Sequence, residues 1–376
     1  MDRIHYLGLA FVLVVRALCT PVPRLIAQSL PAGAGEEIEA LVRERMESAG
    51  IPGLSVAIAL EGGIVWAEGF GTADVENGVP AGPETAYRTA SIGKPMTATA
   101  VMQLWERGRL DLDAAIQEYC PAFPRKRWTV TTRHLLAHLG GVRHYGGPNA
   151  EAELFNTRHY DDVIEPLGIF SGDPLVHEPG SAFLYTTFGY NILGCVIAGA
   201  SGGTYLDYMT RHVFEPAGMR ATRDDDPAAI IPNRARGYRR SDEGELVNAR
   251  MVDMSSKLPA GGFITTAPDL VRFATAVMDG TLVSAETFDE MLTPQTTSSG
   301  EITGYGLGWG LIPDEDWYGE KEALHGGGTP QVSGMLYLLP GRRFAVAILA
   351  NLEGVDDRVG LAAQIARIAL DLDGSN

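Results

Sequence analysis

The segment that decides the fold reads Tyr87-Arg88-Thr89-Ala90-Ser91-Ile92-Gly93-Lys94-Pro95-Met96-Thr97. It predicts a loop that becomes a helix at Ser91, because Pro95 is tolerated in a first helical turn and apolar side chains then recur on one face to about Gly108. Ser91 and Lys94 are three residues apart, which places both side chains on one helical face. A hydroxyl held beside an amine at a buried helix start is a candidate nucleophile with its own base.

The two ends of the chain show strand patterns, whereas the middle shows mostly helical ones. β-Rich runs joined by short turns predict a hairpin near each end, and an amphipathic helix lies outside each hairpin. The predicted terminal elements are a helix over Glu36–Ala49, strands over Leu54–Leu60, Ile64–Gly69, Met335–Leu339 and Phe344–Leu349, and a helix from about Val355 to Leu372. The predicted central helices are Leu110–Tyr119, Thr132–His138, Tyr190–Ala200 and Tyr205–Phe214.

This order of elements predicts an α+β fold. A sheet built from both chain ends would be flanked by helices, with an all-helical lobe inserted between the two halves. We therefore expect a sheet domain over residues 28–90 and 258–376 and a helical domain over residues 91–257. The active site should lie at the seam between them, where ligand sites are common.

Residues 1–27 have the pattern of a signal peptide. Tyr6–Val15 is an apolar run that is too short for a membrane span of about 20 residues but suits a signal-peptide core. The bond between Ala27 and Gln28 fits a cleavage point. We therefore expect export to the periplasm or the extracellular space.

Composition narrows the choice of partners. The formal net charge of −17 disfavours nucleic acid and anionic lipid as ligands. Cys120 and Cys195 lie in apolar contexts, which favours buried free thiols over a disulfide. Asp224-Asp225-Asp226 predicts a solvated loop.

A Ser–Lys nucleophile also requires a proton relay, an oxyanion hole and an edge that orients the substrate. Tyr185 follows a turn and has apolar neighbours, so it is either the relay or a core tyrosine. His325-Gly326-Gly327-Gly328 should lie just before a strand. Its glycines either form a flexible turn or allow a backbone to approach a ligand closely.

Three short motifs together resemble those of the serine β-lactamase and penicillin-binding protein family: Ser91-x-x-Lys94, Tyr185-x-Thr187 and His325-x-Gly327. The match is to its class C-like branch, which includes β-lactamases, carboxylesterases, D-aminopeptidases and LACTB-type peptidases. The similarity continues, in family order, through Arg133–Gly141, Phe214–Met219, Pro259–Phe263 and Tyr305–Gly310. The family's fold, an antiparallel sheet flanked by helices plus an all-helical lobe, agrees with the organisation predicted above.

The resemblance implies a role for each motif residue. Ser91 would be the nucleophile, Lys94 its base partner and Tyr185 a second relay. Backbone N–H groups of Ser91 and Gly328 would form the oxyanion hole. The implied substrate-binding residues are Thr187, His325 and Gly327. Neither a metal nor a cofactor is implied.

Simple electrostatics is consistent with these roles. Desolvation lowers a lysine pKa from about 10.4, so a buried Lys94 can become a base near neutral pH. Burial would raise the pKa of Tyr185, whereas an adjacent ammonium would lower it. The two groups should therefore titrate as a coupled pair.

Two positions depart from the β-lactamase pattern. Family β-lactamases usually have Lys in the third motif, where this chain has His325. With an ordinary pKa near ~6.5, only about a quarter of such a histidine is charged at pH 7. Thr187 replaces the usual Asn and offers one hydroxyl in place of an amide. Both changes should weaken recognition of β-lactams and peptide amides and leave ester cleavage intact.

Three other patterns suggest different chemistry. Gly199-Ala200-Ser201-Gly202-Gly203 fits the nucleophile elbow of α/β-hydrolases, but a predicted helix, not a strand, precedes the serine. His134 and His138 have the spacing of a metal pair, yet lack an intervening Glu, so we predict a structural pair. Glu151–Asn156 predicts part of a loop over the site.

The combined prediction is an exported serine hydrolase that cleaves small esters or short or D-amino-acid peptides through an acyl-enzyme. A class C-type β-lactamase or D-Ala-D-Ala carboxypeptidase is the alternative with the same chemistry. A catalytically silent protein that binds cell-wall fragments is the alternative of another class. The expected partners are small ester, amide or peptide substrates, with no nucleic acid and no membrane span.

Overall fold

A seven-stranded antiparallel sheet is the largest sheet of the protein. The computed structural model describes residues 29–312 and 320–372, so the predicted signal peptide lies outside the described residues. The strands are β1 (Gly53–Leu60), β2 (Gly63–Asp74), β3 (Val79–Pro80), β4 (Tyr87–Arg88), β5 (Arg223–Asp224), β6 (Tyr238–Arg240), β7 (Leu246–Asn248), β8 (Phe263–Thr265), β9 (Gly310–Ile312), β10 (Glu322–Thr329), β11 (Val332–Leu339) and β12 (Phe344–Ala350). The large sheet has the order β3-β2-β1-β12-β11-β10-β9.

The sheet joins the two ends of the chain. β1 pairs with β12, with Leu54 opposite Ala350 and Leu60 opposite Phe344. β11 and β12 are buried along their whole lengths, as expected for strands that are covered on both faces. The predicted α+β fold, with its sheet built from both ends, is confirmed.

Helices cover both faces of this sheet. They are α1 (Ala34–Ala49), α2 (Gly93–Glu106), α3 (Thr132–Leu136), α4 (Ala150–Leu154), α5 (Thr187–Ser201), α6 (Tyr205–Met209), α7 (Glu215–Ala217), α8 (Leu258–Gly261), α9 (Ala267–Met278), α10 (Ala285–Met291) and α11 (Arg358–Ala369). α11 packs on β11 and β12 and against α1, whereas α9 packs on β1 and β12. Within residues 29–312 and 320–372, no helix has the length and apolarity required to cross a bilayer.

α2 is the buried centre of the helical part. Its residues from Gly93 to Leu104 are all buried, and it packs against α5 and α8. A single core cluster contains Met96 of α2 together with Leu336 of the sheet, so the apolar interior runs continuously from one part to the other. The segment 91–257 also contains the short strands β5, β6 and β7. The domain boundaries inferred from the sequence stay a prediction.

One predicted central helix is largely absent. Instead of a helix over Leu110–Tyr119, the structure has only a 3₁₀ turn over Ile116–Glu118. The side chain of Asp111 accepts a hydrogen bond from the backbone N–H of Asp113, at 2.9 Å. Such local side-chain bonds compete with helix formation. The predicted helix over Tyr205–Phe214 is continuous, although its last five residues form a π-helix.

The prediction of free thiols is wrong, because Cys120 and Cys195 form a disulfide. Cys120 follows the 3₁₀ turn and Cys195 lies in α5, with 5.4 Å between their Cα atoms. The two residues are 75 positions apart. Packing of the turn on the helix brings them together, and no local pattern could predict that contact.

The predicted solvated loop at Asp224–Asp226 is only partly correct. The side chain of Asp225 is 3% exposed and pairs with Arg88 at 2.6 Å and Arg234 at 3.4 Å. Arg88 precedes the nucleophile turn, so this ion pair ties that turn to the helical part. A buried carboxylate requires such partners.

Candidate active site

Ser91 lies in a 3₁₀ turn over Ala90–Ile92 that leads directly into α2. The Nζ atom of Lys94 donates hydrogen bonds to Ser91 Oγ at 2.9 Å and to the carbonyl oxygen of Ala260 at 3.1 Å. Ala90 has a φ of +45°, an unusual conformation for a residue with a side chain. The predicted spacing therefore places the hydroxyl and the amine in direct contact.

Glycines allow the nucleophile turn to fit between β10 and α8. A Cβ atom at Gly327 would lie 2.5 Å from the carbonyl oxygen of Thr89. A Cβ atom at Gly261, whose φ is +146°, would collide with the carbonyl of Ala90. The His-Gly-Gly-Gly motif thus lies within β10 and not before a strand as predicted, and Gly327 receives a neighbouring backbone.

Burial controls the protonation of Lys94. The side chain is fully buried, and desolvation lowers its pKa to about 7. No ion pair in the described parts of the chain includes Lys94. A substantial fraction of this amine is therefore neutral at pH 7 and able to accept the Ser91 proton.

Tyr185 faces the same amine. Lys94 Nζ lies 4.9 Å from the centroid of the Tyr185 ring. Burial raises the pKa of Tyr185 well above its usual value, and a hydrogen bond to Ser91 opposes this increase. An adjacent ammonium was expected to lower the pKa of Tyr185, but desolvation dominates. Tyr185 is therefore a protonated phenol at neutral pH.

His138 supports Tyr185 from behind. The centroids of the two rings are 4.3 Å apart, and His138 Nδ1 accepts a hydrogen bond from the backbone N–H of Thr186 at 3.1 Å. The Nδ1 atom of His134 instead accepts a hydrogen bond from the backbone N–H of Thr131, as part of the N-terminal cap of α3. The two histidines thus have separate contacts, and the described residues contain no cluster of potential metal ligands.

His325 is buried and neutral. Its Nδ1 lies 2.8 Å from the carbonyl oxygen of Gly326, which can only accept, so Nδ1 carries the proton. The hydroxyl of Tyr305 then donates to Nε2 at 3.0 Å. Desolvation, aided by Lys94, lowers the pKa of His325 to about 3. The expectation of a quarter-charged histidine at pH 7 is therefore wrong.

A cavity of about 320 Å³ opens beside Ser91. The predicted residues that line it are Ser91, Tyr185, Thr187 and Gly328. His325 and Gly327 are not among the lining residues. Four polar residues of the lining were not predicted: His144, Tyr145, Lys257 and Thr329. His144 lies three residues after the Arg133–Gly141 motif and Lys257 two residues before the Pro259–Phe263 motif, but neither matched a position for which the family implies a role.

The remaining patterns have structural explanations. Ser201 ends α5, donates to the carbonyl of Ala198 at 3.3 Å, and is followed by Gly202 in a left-handed cap. A helix therefore precedes this serine, as predicted, and a nucleophile elbow is absent there. Residues 150–154 form the short helix α4, and Leu154 lines the cavity, so this segment borders the site.

The fold and the buried Ser–Lys pair define the class of serine β-lactamases and penicillin-binding proteins. The family model described as Beta-lactamase matches residues 38–370, and the chain belongs to this family. The serine beta-lactamase-like protein LACTB, mitochondrial, of Mus musculus is 32% identical over 95% of this chain and 84% of that protein.

Solved structures agree with this assignment. The octameric penicillin-binding protein homologue from Pyrococcus abyssi is similar with a TM-score of 0.76 and 29% identity, over 91% of this chain and 78% of that chain. The D-amino acid amidase from Ochrobactrum anthropi SV3 also has a TM-score of 0.76, over 92% of this chain and 100% of that chain. Because it is only 22% identical to this chain, the amidase supports the assignment of the fold and not that of an activity.

Proposed function

We propose that the protein is a serine hydrolase that cleaves small esters, or short or D-amino-acid peptides, through an acyl-enzyme at Ser91. The observation that carries this proposal is the 2.9 Å hydrogen bond between Lys94 Nζ and Ser91 Oγ. Burial gives this lysine a pKa of about 7, so the contact joins a nucleophile to a working base.

The proposed proton path uses the groups as they are protonated near neutral pH. Neutral Lys94 accepts the hydroxyl proton while Ser91 Oγ bonds to the substrate carbonyl carbon. The backbone N–H groups of Ser91 and Gly328 stabilise the resulting oxyanion. Tyr185 donates its proton to the leaving oxygen or nitrogen and is reprotonated by the Lys94 ammonium. A water molecule then releases the acyl group by the reverse transfers.

Esters are the favoured substrates within this proposal. His325 is neutral and already hydrogen-bonded to Tyr305, so it offers no charge to the carboxylate of a β-lactam. Thr187 supplies one hydroxyl where an amide-recognising site would have more donors and acceptors. A class C-type β-lactamase or a D-Ala-D-Ala carboxypeptidase remains the alternative, and nitrocefin and D-alanyl amides test it directly.

Fluorophosphonate labelling tests the nucleophile. Wild type and Ser201→Ala should be labelled and should hydrolyse p-nitrophenyl esters at rates within a few-fold of each other. Ser91→Ala should lose both labelling and turnover, because among the described residues no other hydroxyl is hydrogen-bonded to Lys94. Intact labelling of Ser91→Ala would contradict the proposal. Nitrocefin hydrolysis as fast as that of the best ester would contradict the substrate order.

Export is part of the same proposal. The apolar run in residues 6–15 suits a signal peptide, and the Cys120–Cys195 disulfide is typical of oxidising compartments. N-terminal sequencing of protein recovered from the periplasm or medium should begin near Gln28. An uncleaved, cytosolic protein in which Cys120 and Cys195 are free thiols would contradict it.

A further inference from the structure

Lys257 is a second buried lysine at the active-site cavity. It lies just before α8, three residues from the carbonyl of Ala260 that holds Lys94. The residue is 5% exposed and lines the cavity together with Ser91. Nζ donates to the carbonyl oxygen of Leu154 at 2.8 Å and lies 5.2 Å from the Tyr145 ring centroid. These two contacts leave further N–H donors of Lys257 for a ligand.

The neighbouring carboxylates have other partners. Glu153 accepts two hydrogen bonds from Arg143, at 2.7 and 2.9 Å. Asp253 is bonded to His159 at 2.8 Å and to Ser255. No ion pair among the described residues includes Lys257. A buried ammonium without an anion is costly, so an anionic ligand would gain more here than at the surface.

His144 provides a second donor on the same side of the cavity. Its Nδ1 accepts the backbone N–H of Thr187 at 3.2 Å. Burial is the main cause that lowers the pKa of His144 to about 4; the charges of Lys94, Lys257 and Arg143 lower it further, whereas Glu153 raises it. The ring is therefore neutral. Because Nδ1 accepts a hydrogen bond, Nε2 carries the proton. His144 also lines the cavity. Lys257 and His144 thus supply an ammonium and an N–H to one space beside Ser91.

We propose that Lys257, assisted by His144, binds a carboxylate of the substrate, so that the preferred substrates are small esters or peptides bearing a free carboxylate. This inference rests on the proposed function, because it concerns the substrate of the same site. Lys257 would thus supply the positive charge for a carboxylate that the neutral His325 does not. Among esters, those that carry a negative charge should therefore be preferred.

Proton uptake should accompany binding. Burial is the main cause that lowers the pKa of Lys257 to about 7, and Arg88 also lowers it while Asp253 raises it. Lys94, His144 and Arg143 are the other basic groups around this part of the cavity, and Glu153 is paired. A bound carboxylate stabilises the ammonium, so Lys257 should take up a proton when the ligand enters above pH 7.

Matched esters provide the kinetic test. We expect wild type to prefer p-nitrophenyl hemiglutarate over p-nitrophenyl valerate, and Lys257→Met to lower the ratio of their kcat/KM values by about tenfold or more. Lys257→Arg should keep most of the ratio, because an arginine retains the charge but cannot act as a base. Lys126→Met is the control, since Lys126 likewise donates to backbone carbonyls, those of Ser171 and Asp173, but lies outside the active-site cavity. An unchanged ratio in Lys257→Met would overturn the proposal.

Binding to a silent variant separates this inference from the proposed function. Glutarate titrated calorimetrically into Ser91→Ala at pH 8, in two buffers of different ionisation enthalpy, should bind with proton uptake. Adding Lys257→Met should weaken binding about tenfold and abolish most of the uptake. Equal binding with and without Lys257 would overturn the proposal. Absence of ester turnover in wild type would count against the proposed function, while the glutarate titration still tests Lys257.

Discussion

At the scale of single residues, desolvation sets the chemistry of this site. It lowers the pKa of Lys94 to about 7, raises that of Tyr185, and keeps His325 neutral. Three buried groups thus supply a base, an acid and a neutral support. Because burial disfavours a lasting phenolate, Tyr185 should pass on its proton only while it receives another from Lys94.

The relay predicts non-additive losses. Lys94→Ala and Tyr185→Phe should each lower kcat by on the order of 10²–10⁴, the usual range for a positioned acid–base group. Because both act on one proton path, the double variant should lose far less than the product of the two. Wild-type kcat/KM for a neutral ester should rise with pH through about 7, as Lys94 loses its proton. Strictly multiplicative losses would show that the two residues act separately.

At the scale of elements, the site depends on how closely the nucleophile turn approaches β10 and α8. Glycines at 327 and 261 make room for the carbonyls of Thr89 and Ala90. α5 contributes Thr187 from its first turn. The Cys120–Cys195 disulfide links α5 to the segment that follows the 3₁₀ turn at Ile116–Glu118. Small displacements between these elements would move Ser91 relative to Gly328 and Thr187.

Two alanine substitutions in β10 test this packing. Gly327→Ala should lower ester turnover and fluorophosphonate labelling at least about tenfold, because its Cβ would lie 2.5 Å from the Thr89 carbonyl oxygen. Gly326→Ala is the matched control, since its Cβ would meet only Met335 Cε at 3.6 Å, an ordinary contact. Equal behaviour of the two variants would show that the close approach does not position Ser91.

The disulfide should contribute stability rather than chemistry. Replacing both Cys120 and Cys195 by alanine should lower the free energy of unfolding by about 4 kcal/mol, the entropic expectation for a loop of 75 residues. Urea unfolding of wild type and the double variant, with and without reductant, measures this difference. Wild type should lose the same stability on reduction, and the variant should not respond. Identical unfolding curves under all conditions would contradict the prediction.

At the scale of the whole molecule, two apolar clusters among the described residues hold the fold together. One lies between the sheet and the pair α1 and α11, and the other joins the opposite face to the helical part. The site is at the boundary of the second cluster, which explains why so many of its polar groups are desolvated. Their cost is offset by the large apolar interior around them.

Acid should destabilise the protein through buried histidines. The folded state lowers the pKa of His138, His144 and His325 below the usual 6.5. The unfolded chain therefore binds more protons as pH falls from about 6.5, and stability is lost in that direction. The free energy of unfolding should fall by on the order of 1 kcal/mol per histidine for each pH unit between 6.5 and about 4. Urea unfolding at several pH values measures this slope.

Variants identify the groups responsible for the pH dependence. His144→Asn should reduce the slope, since one of the histidines whose pKa is lowered by folding no longer titrates. Replacement of the more exposed His159, whose pKa Asp253 raises, should not reduce it. A flat stability profile between pH 7.5 and 5 would contradict the assignment of these histidines as neutral and buried.

Local patterns in the sequence determined the hairpins, the long helices and the Ser91–Lys94 pair. The i, i+3 spacing and the alternation of apolar residues are properties of neighbouring residues, so they can be recognised in the sequence before the packing is known. The Leu110–Tyr119 prediction failed for a local reason as well, because Asp111 bonds to the backbone near it. The disulfide, the buried Asp225 and the position of Lys257 in the cavity depend on contacts between distant residues.

Only the tertiary structure decided the protonation of the site. The pKa values of Lys94, Lys257 and His325 follow from how much water the surrounding elements exclude. His325 shows the difference most clearly: its residue type suggested partial charge, whereas burial beside Tyr305 and Lys94 makes it neutral. Residue type sets the intrinsic proton affinity, but desolvation by the folded chain sets the charge that a substrate meets.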